Sequence, residues 1–340
     1  MTDTKSTRPR GLVLVGVGVV VLLLVVATGG LLVARAKHVG PWERDPQDLN
    51  RYATQGGYAD PDSGAAQAAR QATADGDARS ADVFGRLAAV PSGIWLTPEQ
   101  YPAGQVGPYV SSVLAAADEQ DAVATLVVYG VPDRDCSGGY SAGGLAEDEY
   151  APWVQEIASA ASGHDSAVVV LEPDALAATV ACGDEKGRVA LIGDAVARMS
   201  DAGVTTYVDG GHSNWVTPGD MARLLREVGV GKIRGFATNV ANFQTDLDEQ
   251  SYAERVSELS GGGHFVIDTG RNGKGSTDDW CNPPGRAFGT MPGYVDDGSR
   301  LDAFVWVKPP GESDGECGGG PTAGEFWPQR ALEMASESGW

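Results

Sequence analysis

Three short segments of this chain carry the residue types that acid/base chemistry needs. They are Asp133-Arg134-Asp135, Glu172-Pro173-Asp174 and Lys308-Pro-Pro-Gly-Glu312-Ser-Asp314. The first two follow apolar runs at 125–131 and 167–171, and the third follows the last strong run, 304–308. A carboxyl group at the end of a buried strand is partly stripped of water, which favours its protonated form and makes a general acid. Two such groups on separate strand ends can set an acid and a base on either side of a bond. Plainer roles compete. Asp174 would also cap a helix starting at Ala175. Residues 133–135 would also serve as a solvated, ion-paired turn, and the third segment as a surface salt-bridge cluster.

The elements that must position these groups alternate along the chain. Apolar runs rich in Val, Ile, Phe and Tyr occur near 93–96, 125–131, 167–172, 205–209, 233–239, 264–268 and 304–308. Amphipathic stretches at 109–118, 149–162, 188–201 and 220–228 lie between several of them, and an Ala-rich helix is predicted over 65–87. Such alternation implies a parallel sheet or barrel, and an α/β barrel carries its active site at the C-terminal mouth of the strands. Nearly every run ends in suitable residues: Trp95, Asp135, Asp174, Asp209 with His212, Asn239 with Asn242, Asp268 with Arg271, and Lys308 with Glu312 and Asp314. Seven runs predict one barrel-like domain from 56 to 340. Trp95, Trp215 and Trp280 stand near strand ends among polar residues, where an indole face is a platform for a sugar ring. Trp306, inside a run, reads as packed. The Gly-rich segment 137–144 reads as a loop able to close over a ligand.

The first 55 residues form separate units. A basic flank (1–10) precedes a weakly polar-to-apolar stretch (11–34) long enough to span a bilayer, and residues 35–55 read as a polar tether. Ala34-Arg35-Ala36 also offers a small-x-small cleavage site, so a retained transmembrane anchor and a cleaved signal peptide both stand. Either puts the rest outside the cytoplasm. From residue 41 onward the chain holds 20 Lys and Arg against 45 Asp and Glu, a formal charge near −25. That balance repels nucleic acid and anionic lipid, and suits a solvated protein acting on a neutral or cationic substrate. Four cysteines, Cys136, Cys182, Cys281 and Cys317, imply two disulfides in an oxidising compartment, with three pairings possible. No spacing suggests a metal site, and no phosphate or dinucleotide motif suggests a cofactor.

One rival motif is present. Gly139-Tyr-Ser141-Ala-Gly143 matches G-x-S-x-G, and Asp209 or Asp268 with His264 would complete an esterase triad. An elbow serine must stand between a strand end and a helix start, whereas here nine residues of polar loop separate Val131 from Ser141. The sequence context opposes the esterase.

Taken in order, a longer series of motifs resembles glycoside hydrolase family 6, the inverting β-1,4-glucanases. The carriers are Val127-Val-Tyr129 with Pro132-Asp-Arg-Asp135-Cys136, Leu171-Glu-Pro-Asp174-Ala-Leu176, and Tyr207-Val-Asp209-Gly-Gly-His212-Ser-Asn-Trp215. Ala237-Thr-Asn-Val-Ala-Asn242, Asp268-Thr-Gly-Arg271, Asp279-Trp280-Cys281-Asn282 and Val305-Trp-Val-Lys308-Pro-Pro-Gly-Glu312-Ser-Asp314-Gly315 complete it. The resemblance implies a distorted, seven-stranded, TIM-barrel-like β/α barrel with a cleft across its mouth. It implies Asp174 as general acid, Asp135 as the residue tuning that acid, Asp314 as the proposed base and Tyr129 as the group crowding the sugar at the cleavage point. It further implies Trp95, Trp215 and Trp280 as stacking residues, Ser141 on the mobile loop, and Asp209, His212, Asn242, Lys308 and Glu312 as polar contacts to sugar. The pairings Cys136–Cys182 and Cys281–Cys317 follow from the same comparison.

The expected partner is therefore a β-1,4-glucan, met by a monomer without nucleic acid, and with the membrane only through an uncleaved N-terminus. About 21 residues separate Asn242 from His264 and about 26 separate Asp314 from Trp340, too few beside a helix to roof a tunnel. An open cleft and endo-acting cleavage are expected, not cellobiohydrolase action. The serine loop departs from the family's usual Ser-Asn-Gly-Glu, reading Ser141-Ala-Gly-Gly, which bears on loop closure. A glucan-binding surface protein without turnover is the alternative. Asp135, Asp174 and Asp314 together speak against it, because a binder has no need of an acid pair.

Overall fold

Seven of the apolar runs become the strands of one parallel sheet in the computed structural model, which describes residues 1–2, 45–135 and 139–340. The expected membrane or signal segment, the first part of the tether and Cys136 lie outside the described residues. The strands are β1 (Ile94–Leu96), β2 (Ala122–Val128), β3 (Ala167–Leu171), β4 (Thr205–Asp209), β5 (Gly235–Thr238), β6 (His264–Asp268) and β7 (Leu301–Val305). Each pairs in parallel with the next in chain order. Two-residue strands at Gly56–Gly57 and Gly293–Tyr294 flank β2 and β7.

The period-2 pattern of the strands builds two cores. Val123, Val127, Val168, Val170, Ala237, Val266 and Ala303 point into the barrel and pack there around Tyr207. Leu126, Val128, Val169, Leu171, Val208, Phe236, Phe265 and Ile267 alternate with them and meet the surrounding helices. Among the described residues the helices are α1 (Gly64–Asp75), α2 (Ala78–Ala88), α3 (Val106–Glu119), α4 (Glu147–Ala161), α5 (Thr179–Cys182), α6 (Glu185–Asp201), α7 (Pro218–Glu227), α8 (Asp246–Ser260) and α9 (Pro328–Glu337). The helix expected over 65–87 is broken in two. Gly76 adopts a left-handed φ of 77° as the C-cap of α1, and the Asp77 side chain accepts the Ser80 N–H to start α2.

The barrel closes without a ladder between its first and last strands. The Gly93 N–H donates to the Trp306 carbonyl at 2.8 Å, and Trp95 Nε1–H donates to the Val307 carbonyl at 2.9 Å. A Cβ on Gly93 would lie 2.2 Å from the Val307 oxygen, so this seam needs glycine. The last strand also runs three residues earlier than expected, because Asp302 is a buried strand residue. It is paired with Arg234 at 2.7 Å and accepts the Tyr207 hydroxyl at 2.6 Å. Residues 46–55, expected as tether, instead cover the N-terminal ends of the strands. Gln47 donates to the Val204 carbonyl, Arg234 donates to the Gln47 carbonyl, and Tyr52 shares a hydrogen bond with Thr125.

Candidate active site

The chain bends sharply where the strands end. Of the eight described non-glycine residues with positive φ, seven (Asp133, Asp135, Glu172, Asp174, Asn239, Ala241 and Asn282) lie at the C-terminal mouth. Strained backbone of this kind persists only where the surroundings hold it, and it collects at working sites. At the end of β3, Glu172 turns inward, and its fully buried carboxyl accepts the N–H groups of Gly130 and Val131 at 3.1 Å. The Tyr129 N–H still donates to the Leu96 carbonyl of β1 at 3.0 Å, and its side chain lines the mouth. Two residues on, Asp174 is half-buried with φ 66°.

Burial first, and then the nearby charges of Asp135 and Asp314, raise the Asp174 carboxyl to about 7; Arg271 and Lys308 only partly offset this. Directly behind it, Asp209 is buried and accepts the N–H groups of Asp174 and Gly211, both at 3.0 Å, while its other oxygen has no partner. Burial and the Asp174 charge push Asp209 well above the usual carboxylate range. Asp174 does not cap a helix through its side chain: α5 begins later, at Thr179, without a side-chain cap.

The segment read as a solvated turn turns out to be knotted. Arg134 is only 7% exposed; it donates to the Tyr129 carbonyl, the Ser141 carbonyl and Glu99, and its guanidinium lies 4.5 Å over the Tyr129 ring. Asp135 accepts the Ser141 N–H at 3.2 Å, which ties the serine loop to the mouth. Across the cleft, Asp314 is buried with both oxygens on the Arg271 guanidinium at 2.8 and 2.9 Å, and it also accepts the Asn282 N–H at 2.9 Å. The Cys281–Cys317 disulfide clasps the segments carrying Asn282 and Asp314. Cys182 is disulfide-bonded as well; Cys136, its expected partner, lies outside the described residues.

One cleft of about 400 Å³ brings together Trp95, Tyr129, Asp135, Ser141, Asp174, His212, Trp215, Asn242, Trp280, Lys308 and Asp314. Trp215 and Trp280 stand 39% and 54% exposed on its walls, as binding platforms must. Trp95 packs edge-on to Tyr129 at 5.2 Å with the Lys308 ammonium 5.3 Å from its ring. His212 is held down to about 4 by burial, so its imidazole is neutral. Two expected cleft residues stand back from it. Asp209 lies behind Asp174, and Glu312 sits beside Lys308 at 3.8 Å and lines a small neighbouring cavity next to Phe326. Burial raises Glu312 to about 7, against the pull of Lys308.

Three contributors escaped the sequence reading. Arg134 looked like a surface charge. Arg271 stands after a strand and in the family-like run Asp268-Thr-Gly-Arg271 without a role of its own, yet it anchors Asp314. Arg188 lines the cleft and donates to the Pro132 and Asp133 carbonyls, though in sequence it only opened an amphipathic stretch. The esterase geometry is absent. His264 begins β6 at the opposite end of the barrel, 3.1 Å from Asp302, while Ser141 stands at the mouth. Asp268 is occupied by the N–H groups of Gly270, Ala241 and Lys308.

A parallel barrel that gathers carboxylates between aromatic walls at its mouth has the parts a two-carboxyl glycoside hydrolase uses. Comparison with known proteins agrees. The profile described as "Glycosyl hydrolases family 6" matches residues 52–338, and the chain belongs to that family. It is 44% identical over 256 residues to Endoglucanase A of Cellulomonas fimi, covering 73% of this chain and 56% of that protein. It is 37% identical over 295 residues to Endoglucanase 1 of Streptomyces halstedii, covering 83% of this chain and 88% of that one. Among solved structures, the endoglucanase Cel6 from Mycobacterium tuberculosis, in complex with methyl-cellobiosyl-4-deoxy-4-thio-β-D-cellobioside, matches with a TM-score of 0.80 and 39% identity over 86% of this chain and 100% of that one.

Proposed function

We propose that this protein hydrolyses internal β-1,4-glucosidic bonds of cellulose or soluble β-glucan with inversion at the anomeric carbon. The observation that carries the reading is Asp174, a carboxyl raised to about 7 at the centre of an aromatic-walled cleft. Near neutral pH such a group holds a proton that it can give to the leaving oxygen. A water on the far face of the sugar then attacks, activated by Asp135 or Asp314 directly or through a second water. Inversion requires room for that water between the carboxyls. Arg271 and the Asn282 amide hold Asp314 in one orientation, and Tyr129, buttressed by Trp95 and Arg134, crowds the sugar. The short 242–264 and 314–340 segments are taken up by α8 and α9, which supports an open cleft and endo action. The structural disulfide fits a domain working outside the cytoplasm.

Proton NMR of cellohexaose during digestion by the full-length protein tests this. Initial α-anomeric product from internal bonds is expected; β-product would refute inversion, and release of cellobiose alone from one end would refute endo action. Asp174→Asn should lower kcat by a factor of about 10² or more while leaving oligosaccharide binding in place. Equal turnover by the variant would remove Asp174 from the acid role. No cleavage by the unaltered protein, with binding retained, would favour the glucan-binding reading.

A further inference from the structure

Beneath the loop that follows β4 lies a buried acid that takes no part in the chemistry above. Glu249, in the first turn of α8, is fully buried; its carboxyl accepts the Ser213 N–H at 2.8 Å, and the Ser213 and Thr238 hydroxyls stand beside it. One turn further along the helix, the Tyr252 hydroxyl donates to the Gly210 carbonyl at 2.9 Å. Helix α8 therefore grips the loop at two points, on either side of His212. The loop carries His212 and Trp215 into the cleft. Its remaining ties lead to the catalytic centre: the Gly211 N–H donates to Asp209, which also holds the Asp174 N–H, and the Gly211 carbonyl accepts the Asn239 N–H at 2.9 Å. The helix itself does not need this glutamate, since Thr245 already caps α8 by accepting the Asp248 N–H. Burying a carboxyl is costly unless its hydrogen bond serves something.

We propose that Glu249 is a positioning residue for sugar binding, fixing the loop that bears His212 and Trp215 through the Ser213 amide. The proposal rests on the cleft being a glucan site. Burial raises Glu249 to about 7, so at pH 5.5 it is mostly neutral, and glutamine reproduces both its shape and its acceptor oxygen.

The test compares full-length wild type, E249Q and E249A on cellohexaose at pH 5.5, by steady-state kinetics and by tryptophan-fluorescence titration. E249Q should stay within about twofold of wild type. E249A should raise KM and Kd about tenfold with a smaller change in kcat, as expected when a hydrogen bond that orders a binding loop is lost. A wild-type KM in E249A alongside a lowered Tm overturns the proposal, because Glu249 would then serve only packing. Equal losses in E249Q and E249A overturn it too. Should E249A fail to fold, E249D carries the test, since its shortened carboxyl withdraws from Ser213; an unchanged KM there is equally fatal. Absence of both binding and cleavage in the wild type would instead remove the glucanase reading on which the proposal stands.

Discussion

Asp174 differs from its neighbouring carboxyls in what surrounds it: burial and two like charges raise it, and among the described residues no donor pins its carboxyl as an anion. Asp314 holds a guanidinium and an amide, and Asp268 is saturated by backbone. One residue type thus does three jobs according to its environment. Because the acid works only while protonated, kcat/KM should decline as pH rises through about 7. Asp135 is the larger of the two charges holding Asp174 up, so Asp135→Ala should move that alkaline limb to lower pH. A limb that stays in place, measured by pH–rate profiles, would leave burial and the Asp314 charge as the causes. That Asp174 would matter was legible in its position after a strand; its coupling to Asp209 was not, since 35 residues separate the two.

At the scale of elements, the strands were legible because their apolar runs are bounded by polar turns, and the misreadings share one cause. Sequence pattern alone places a charged residue at the surface unless it marks a strand end. Asp302 is instead buried in β7, bonded to Arg234 from the segment before β5 and to Tyr207 from β4. The same assumption made residues 46–55 a tether, although Arg51 is buried with its guanidinium 2.8 Å from Asp165. Removing one partner of a buried ion pair strands the other. Asp302→Ala should therefore destabilise the domain by about 3–5 kcal/mol in denaturant unfolding. A loss under about 1 kcal/mol, the range of surface ion pairs, would show that solvent reaches Arg234.

For the whole molecule, the cluster of raised acids sets a pH dependence of stability. Glu172, Asp174, Glu249 and Glu312 each stand at about 7 in the fold, against about 4 in an unfolded chain. The native state then binds more protons than the unfolded one between those values, so stability present at low pH is lost as pH rises toward and through 7. Glu99 and Asp302 are lowered and act the other way only under more acidic conditions, and His212, held down to about 4, offsets part of the effect below about 6.5. The net charge of −21 adds self-repulsion at high pH. Tm measured by calorimetry should be higher at pH 5.5 than at pH 8; the reverse order would mean that the mouth carboxyls are solvated in the native state.

The sequence by itself determined the α/β alternation, the strand ends where carboxylates gather and the motif order that marks the family. These are local patterns: period-2 burial, turn residues, and short spacings between neighbours in the chain. Tertiary structure decided which carboxyl is desolvated and which is ion-paired, that Arg134 is a buried strut, that Asp209 and Glu312 stand behind the cleft walls, and that Glu249 reaches the loop of His212. Each depends on groups tens to hundreds of residues apart becoming neighbours as the barrel closes. A carboxyl's proton affinity follows from its final surroundings rather than from its place in the chain.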